Sequence, residues 1–203
     1  ALIGVTADIT LEKHLPAAAG IGGGSSDAAA TLRALAEMAG VALPHDVLSL
    51  GSDVPVCLVP GAARMRGIGE HVTPLTAVPT LYAVLVNPRV AVATPVIFAG
   101  LTTRENAAMP DFLPEWSGSA DFIPWLAQQR NDLQAPAITA EPVIAEVLDT
   151  LLDTPGCQLA RMSGSGATCF GLYDSAESAS ATVGRLAQDR PGWWVRATRL
   201  NAD

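Results

Sequence analysis

Apolar and polar positions alternate with a period of two over Leu2–Glu12 (LIGVTADITLE), the pattern of a half-buried strand, until His14-Leu15-Pro16 interrupts it. The chain opens inside this alternation with neither Met nor a basic leader, which predicts that it starts within a longer sequence. A glycine-rich turn then leads into Ser25–Ala39 (SSDAAATLRALAEMA), a run of strong helix formers closed by Gly40, which predicts a helix. A short helix is expected over Pro44–Ser49, a turn at Gly51–Pro55, an apolar stretch at Val56–Val59, and a strand or hairpin over Arg64–Val72.

After Pro79 the order of patterns changes. Leu81–Val86 reads as a buried strand, and Thr94–Ala99, Ser119–Gln128 and Glu141–Asp153 read as helices around a long loop, Thr102–Ser117. Gln158–Met162 and Thr168–Tyr173 read as strands, Ser175–Gln188 as a helix, and Trp193–Leu200 as a last strand. With adjacent helices merged, the order is β-α-β-β-α-β, that of a ferredoxin-like layer. The expectation is an α+β chain with one unit over residues 1–79 and a ferredoxin-like unit over residues 80–203.

Composition narrows the function. Of the 203 residues, 49% are apolar and 16% charged, which favours a packed protein over a disordered chain. A formal charge of -8 repels a phosphate backbone, so nucleic acid is not an expected partner. No apolar run approaches the roughly 20 residues of a membrane helix, and no basic amphipathic stretch offers a membrane-surface face. Cys57, Cys157 and Cys169 are odd in number and lack CxxC spacing, so reduced, buried thiols in a cytoplasmic protein are expected rather than disulfides or zinc. The acidic surface leaves monomer and homodimer equally open.

Three segments carry candidate chemistry. Gly20-Ile21-Gly22-Gly23-Gly24-Ser25-Ser26-Asp27 feeds small residues into a helix start, where backbone N–H groups and the helix dipole favour an anion such as phosphate. The plainer reading is a flexible connection capped by Ser25 or Ser26. A Walker loop needs Lys where Gly24 stands, and the dinucleotide fingerprint needs Gly where Ser25 stands, so both are excluded. A nucleophile elbow is excluded as well, since Ser165 lacks a Gly two residues before it. Asp53, between Gly51-Ser52 and Val54-Pro55, is suited to orient or deprotonate a hydroxyl, or equally to close an Asx turn. Ser163-Gly164-Ser165-Gly166, between two predicted strands, is by itself a tight hairpin.

Together these segments resemble the GHMP kinase superfamily of small-molecule ATP kinases. LPAAAGIGGGSSDAAA is similar to its central phosphate motif and SGSGATCFGL to its C-terminal glycine motif. The triple glycine, GSDVP, TPVIF and Asn131-Asp132-Leu133 resemble the branch whose acceptor is a cytidylyl-linked methylerythritol in the non-mevalonate route to isoprenoid precursors. The resemblance implies a two-domain architecture and an ATP- and Mg²⁺-dependent transfer to the acceptor's 2-hydroxyl. It also implies roles. Pro16, Ala17, Ala18, Ala19, Gly20, Ile21, Gly22, Gly23, Gly24, Ser25 and Ser26 would wrap the triphosphate, with Lys13 near the adenine. Ser26 would ligate the metal, and Asp53 would be the catalytic base. Thr94 would touch substrate, Phe98 would stack on the cytosine, and Gly164, Ser165 and Gly166 would close the site. Without the resemblance, Thr94 reads as a helix N-cap, Phe98 as a core aromatic and Lys13 as a solvated charge. The family's opening strand, with a catalytic lysine and asparagine, has no counterpart in the sequence, which predicts an incomplete N-terminal domain and an inactive isolated chain. The competing readings are a kinase for homoserine or a mevalonate derivative, and a nucleotide-binding module that transfers nothing.

Overall fold

The computed structural model describes residues 6–16 and 19–201, and these divide into two units. The first comprises the described residues through Leu15 together with Gly22–Thr76; the second comprises Pro16–Ile21 and the residues from Ala77 onward. The glycine-rich run is therefore shared, its start belonging to one unit and its end to the other.

The first unit is built on α1 (Gly23–Ala39), followed by a 3₁₀ turn (Leu48–Leu50), α2 (Val54–Cys57) and a hairpin of β1 (Ala63–Arg66) and β2 (His71–Pro74). Helix α1 begins two residues before the expected Ser25, because Gly22 itself takes the cap position in a left-handed conformation (φ 67°). It ends as predicted at Gly40, also left-handed, whose N–H donates to Glu37 O while that of Val41 donates to Ala36 O. Ala29 and Ala36 face inward, and their small side chains let α1 lie close against α2. The expected short helix at Pro44–Ser49 is reduced to the 3₁₀ turn. The stretch taken for a turn and an apolar run is α2, with Pro55 in its first turn, where a missing N–H costs no bond. The predicted strand at Leu2–Glu12 lies partly outside the described residues; Thr6–Glu12 is irregular, with no ladder partner among the described residues.

The second unit contains β3 (Leu81–Asn87), α3 (Thr94–Ala99), α4 (Ser119–Ala127), α5 (Gln134–Ala140), α6 (Val143–Leu152), β4 (Cys157–Met162), β5 (Cys169–Tyr173), α7 (Ala176–Asp189) and β6 (Trp194–Leu200). The sheet order is β4-β5-β3-β6 with every neighbouring pair antiparallel, the ferredoxin-like arrangement that the element order implied. Strand alternation sorts two cores. Val84 and Val86 point to one face, where α6 and α7 cover them with Ile144, Val147, Leu151 and Leu186. Leu81 and Ala83 point to the other face, where α4 supplies Phe122 and Ile123. Trp116, at the end of the long loop, closes that second layer edge-on against Phe122 with centroids 4.8 Å apart. Helix α5 was missed by the sequence reading because Pro136 interrupts its pattern, yet Pro136 also falls in a first turn. Among the described residues, no helix is long and apolar enough to cross a membrane.

Candidate active site

In the first unit, the start of α1 carries no side-chain cap, so neither Ser25 nor Ser26 serves as the predicted capping residue. The first backbone bond of the helix runs from the Ser26 N–H to Gly22 O at 2.9 Å, which leaves the amides of Gly23, Gly24 and Ser25 without an acceptor inside the helix. Three aligned donors at the positive end of a 17-residue helix are a natural seat for an anion. No described residue lies within 4 Å of where a Cβ of Gly22 or Gly24 would stand, so that approach is open among them. Lys13 forms an exposed ion pair with Asp27 one turn into α1, Nζ to Oδ2 at 2.5 Å.

Asp53 occupies the N-cap position of α2 but makes no capping bond. Half-buried, its carboxylate has neither a hydrogen bond nor an ion pair among the described residues. Arg33 of α1 donates to Cys57 O at 3.0 Å at the far end of α2, tying the short helix to α1. The Cys57 thiol is pushed above its ordinary range by burial and then by the Asp53 charge, with Arg33 opposing. On the preceding side, a Cβ on Gly69 in the β1–β2 turn would stand 2.0 Å from Ser52 O, so the hairpin rests directly on the peptide before Asp53. The peptides on both flanks of Asp53 are thus held in place, while its carboxylate oxygens have no partner among the described residues.

In the second unit, the start of the glycine-rich run packs on the turn between β4 and β5. Ala19 O accepts the Thr168 N–H at 3.2 Å, and Gly20 O accepts the Ser163 hydroxyl at 2.8 Å. A Cβ on Gly20 (φ 69°) would lie 2.5 Å from Ser163 O and 2.6 Å from Gly166 O; one on Gly164 (φ 51°) would lie 2.8 Å from Gly20 O. Two backbones thus meet at a distance that only glycine allows. Ala17 and Ala18 lie outside the described residues, and Pro16, Ala19, Gly20 and Ile21 lie within this unit.

Thr94 is the first residue of α3 rather than its cap, which is Ala93; its hydroxyl lies 2.8 Å from the Ser165 hydroxyl. Phe98, one turn further along the same face, is 51% exposed while its neighbour Ile97 is buried, so it is not the core aromatic that its type alone would imply. Gly164 is exposed, Ser165 half-buried and Gly166 buried. Buried Asn87 supports this turn from below, donating to the Thr168 hydroxyl at 2.9 Å. Sequence reasoning singled out Asn131 only within the Asn131-Asp132-Leu133 motif and gave neither it nor the side chain of Ser163 a part in this arrangement. Asn131 donates to both Met162 O and Gly164 O, but its partners are backbone carbonyls some thirty positions on, and these leave no mark in the residue pattern.

These motifs recur in known proteins. The profile of the GHMP kinases N terminal domain matches residues 2–63, and that of the GHMP kinases C terminal domain matches residues 118–189. The chain is 56% identical over 192 residues to a 4-diphosphocytidyl-2-C-methyl-D-erythritol kinase of Dinoroseobacter shibae, covering 95% of this chain and 67% of that protein. It is 56% identical over 200 residues to the protein of the same name from Ruegeria pomeroyi, covering 96% and 71%. A crystal structure of 4-(cytidine 5'-diphospho)-2C-methyl-D-erythritol kinase superimposes with a TM-score of 0.74 at 33% identity, covering 95% of this chain and 70% of that one.

Proposed function

Since the chain belongs to the 4-diphosphocytidyl-2-C-methyl-D-erythritol kinase family of GHMP kinases, we propose that it transfers the γ-phosphoryl group of ATP to the 2-hydroxyl of 4-diphosphocytidyl-2-C-methyl-D-erythritol. The observation that carries this reading is the start of α1, where glycines and an uncapped helix end present amides to an anion. In phosphoryl transfer, catalysis is mostly positioning and neutralisation of charge, so backbone donors, a metal ion and one base are a sufficient set.

In the first unit, Gly22 to Ser26 wrap the phosphates, with the amides of Gly23, Gly24 and Ser25 as the donors, and Lys13 lies toward the adenine end. Asp53 accepts the proton of the acceptor hydroxyl, a role that suits its half-buried carboxylate, which has no partner among the described residues. A magnesium ion, when bound, would neutralise charge on the transferring group. Among the described residues no cluster of His, Cys, Asp or Glu could hold the ion by itself, so Ser26 would offer one hydroxyl ligand to a metal that arrives with the nucleotide. In the second unit, Thr94 and Phe98 hold the cytidylyl acceptor through a hydroxyl and an exposed ring face, while Gly164, Ser165 and Gly166 close over it.

The test is to incubate the protein carrying this chain with ATP, Mg²⁺ and each of three acceptors, the cytidylyl-methylerythritol, homoserine and mevalonate, and to weigh the products by mass spectrometry. Addition of one phosphate to the cytidylyl compound in preference to the others is the expected result. Preference for another alcohol overturns the substrate, and no product from folded, ATP-binding protein overturns the reaction.

A further inference from the structure

Asn131 stands just ahead of α5 with every polar atom of its side chain engaged. Its Oδ1 accepts the Leu133 N–H at 3.0 Å, closing an Asx-type turn. Its two amide hydrogens go to Met162 O at 2.9 Å and Gly164 O at 2.8 Å, which fixes the orientation of the group, since both carbonyls require donors. Three residues on, Gln134 Oε1 accepts the Met162 N–H at 3.0 Å. One short segment therefore grips Met162 by both its N–H and its carbonyl, and Gly164 by its carbonyl.

The gripped turn reaches two other elements. The Ser163 hydroxyl donates to Gly20 O, and the Ser165 hydroxyl lies 2.8 Å from that of Thr94. Inside the turn, the Gly166 N–H donates to Ser163 O at 3.0 Å. Rotation of the Gly164 peptide would shift both hydroxyls together, because they flank it in sequence. We propose that Asn131 is a positioning residue, its amide setting the Ser163–Gly166 turn so that Thr94 and the start of the glycine loop are presented in register for transfer; the catalytic part of this rests on the function proposed above.

Asn131→Asp keeps the shape and the Oδ1 acceptor but removes both donors and sets a carboxylate against two carbonyl oxygens. It is expected to lower kcat/KM for the cytidylyl acceptor by about tenfold or more. Ser165→Ala is expected to lower it too, and the double variant to lose no more than the worse single one, because both act on the same hydroxyl pair. Amide hydrogen exchange supplies a readout independent of turnover: the Gly166 and Thr168 amides should exchange about tenfold faster in Asn131→Asp, with those of Val84 and Leu172 in the sheet unchanged. Additive losses, or equal acceleration throughout the sheet, would make Asn131 merely structural and overturn the proposal. Unchanged exchange at Gly166 and Thr168 would overturn it as well. Should Asn131→Asp not fold, Asn131→Gln retains both donors on a stem one methylene longer and is expected to give the same pattern at smaller amplitude. Failure of the unsubstituted protein to phosphorylate would remove the functional reading and with it any catalytic role for Asn131, while exchange still decides whether it holds the turn.

Discussion

Gly20 and Gly164 show how little room the second unit leaves at its glycine crossing. A methyl group on Gly20 would stand 2.5 Å from Ser163 O, and its φ of 69° is one that side chains rarely adopt. Gly20→Ala should therefore push the loop and the turn apart; calorimetric titration with a non-hydrolysable ATP analogue is expected to show at least a roughly tenfold weaker Kd, a loss typical of displaced binding groups. Gly184→Ala, on the exposed face of α7 where no described residue lies within 4 Å, should leave the Kd unchanged, so equal effects at the two sites would discount the crossing. Asp53 calls for the opposite experiment. Its carboxylate is free among the described residues, so Asp53→Asn removes charge and basicity without stripping a partner. Turnover should fall by about 10²–10⁴-fold, the usual contribution of a positioned base, with ATP affinity changed by less than about twofold. Comparable losses in both quantities would end its assignment as the base.

Helix α6 illustrates what holds the elements in place. Leu151 is fully buried against the sheet, and Leu151→Ala is expected to cost about 2–5 kcal/mol in urea unfolding, through lost transfer energy and the cavity left behind. Below the new unfolding transition, kcat/KM should be unchanged, since Leu151 touches none of the proposed site groups. The helix was legible in the sequence because Ile144, Val147, Leu148 and Leu151 recur at helical spacing, and β3 and β5 were legible as short apolar runs between turn signals. Helices α2 and α5 were not, since α2 is a single turn of 4 residues and α5 only 7 residues with Pro136 in its first turn, too short for a period to show. The period-two pattern read over Leu2–Glu12 gives no strand over its described part, Thr6–Glu12, for alternation describes a side-chain arrangement and a strand also needs a partner, which these residues lack among the described ones. Within the candidate site, the glycine run, Asp53 and the second glycine motif stood out because chemistry limits which residues can fill such places. The bonds that join Ser163 to Gly20 and Asn131 to Gly164 did not, because each ends on a carbonyl that every residue possesses.

Across the molecule as a whole, burial governs the response to alkali. It pushes the Cys169 thiol up to about 12 and raises the Tyr173 hydroxyl as well, although Thr154 and Thr182 donate partial relief to the latter. A raised folded-state value means that stability is fully present below the unfolded value and is lost as pH rises toward the folded one. Above about pH 8.5 the unfolded thiol ionises while the folded one does not, so Cys169 should reduce unfolding free energy by up to roughly 1.4 kcal/mol per pH unit until its own ionisation near 12. Urea titrations at pH 7.5 and 9.5 should show this decline, and Cys169→Ala should flatten it; an identical slope in the variant would place the effect elsewhere. The sheet order has a different consequence, for the way the protein is made. Strand β3 is flanked by β5 and β6, both of which are encoded far downstream, near the end of the chain. On the ribosome, Leu81–Asn87 emerges well before either neighbour exists, and it is apolar on both sides. Throughout that interval it lacks both strands that will pair with it and is the kind of surface that pairs with other nascent chains, so shielding it during translation should raise the yield of folded protein.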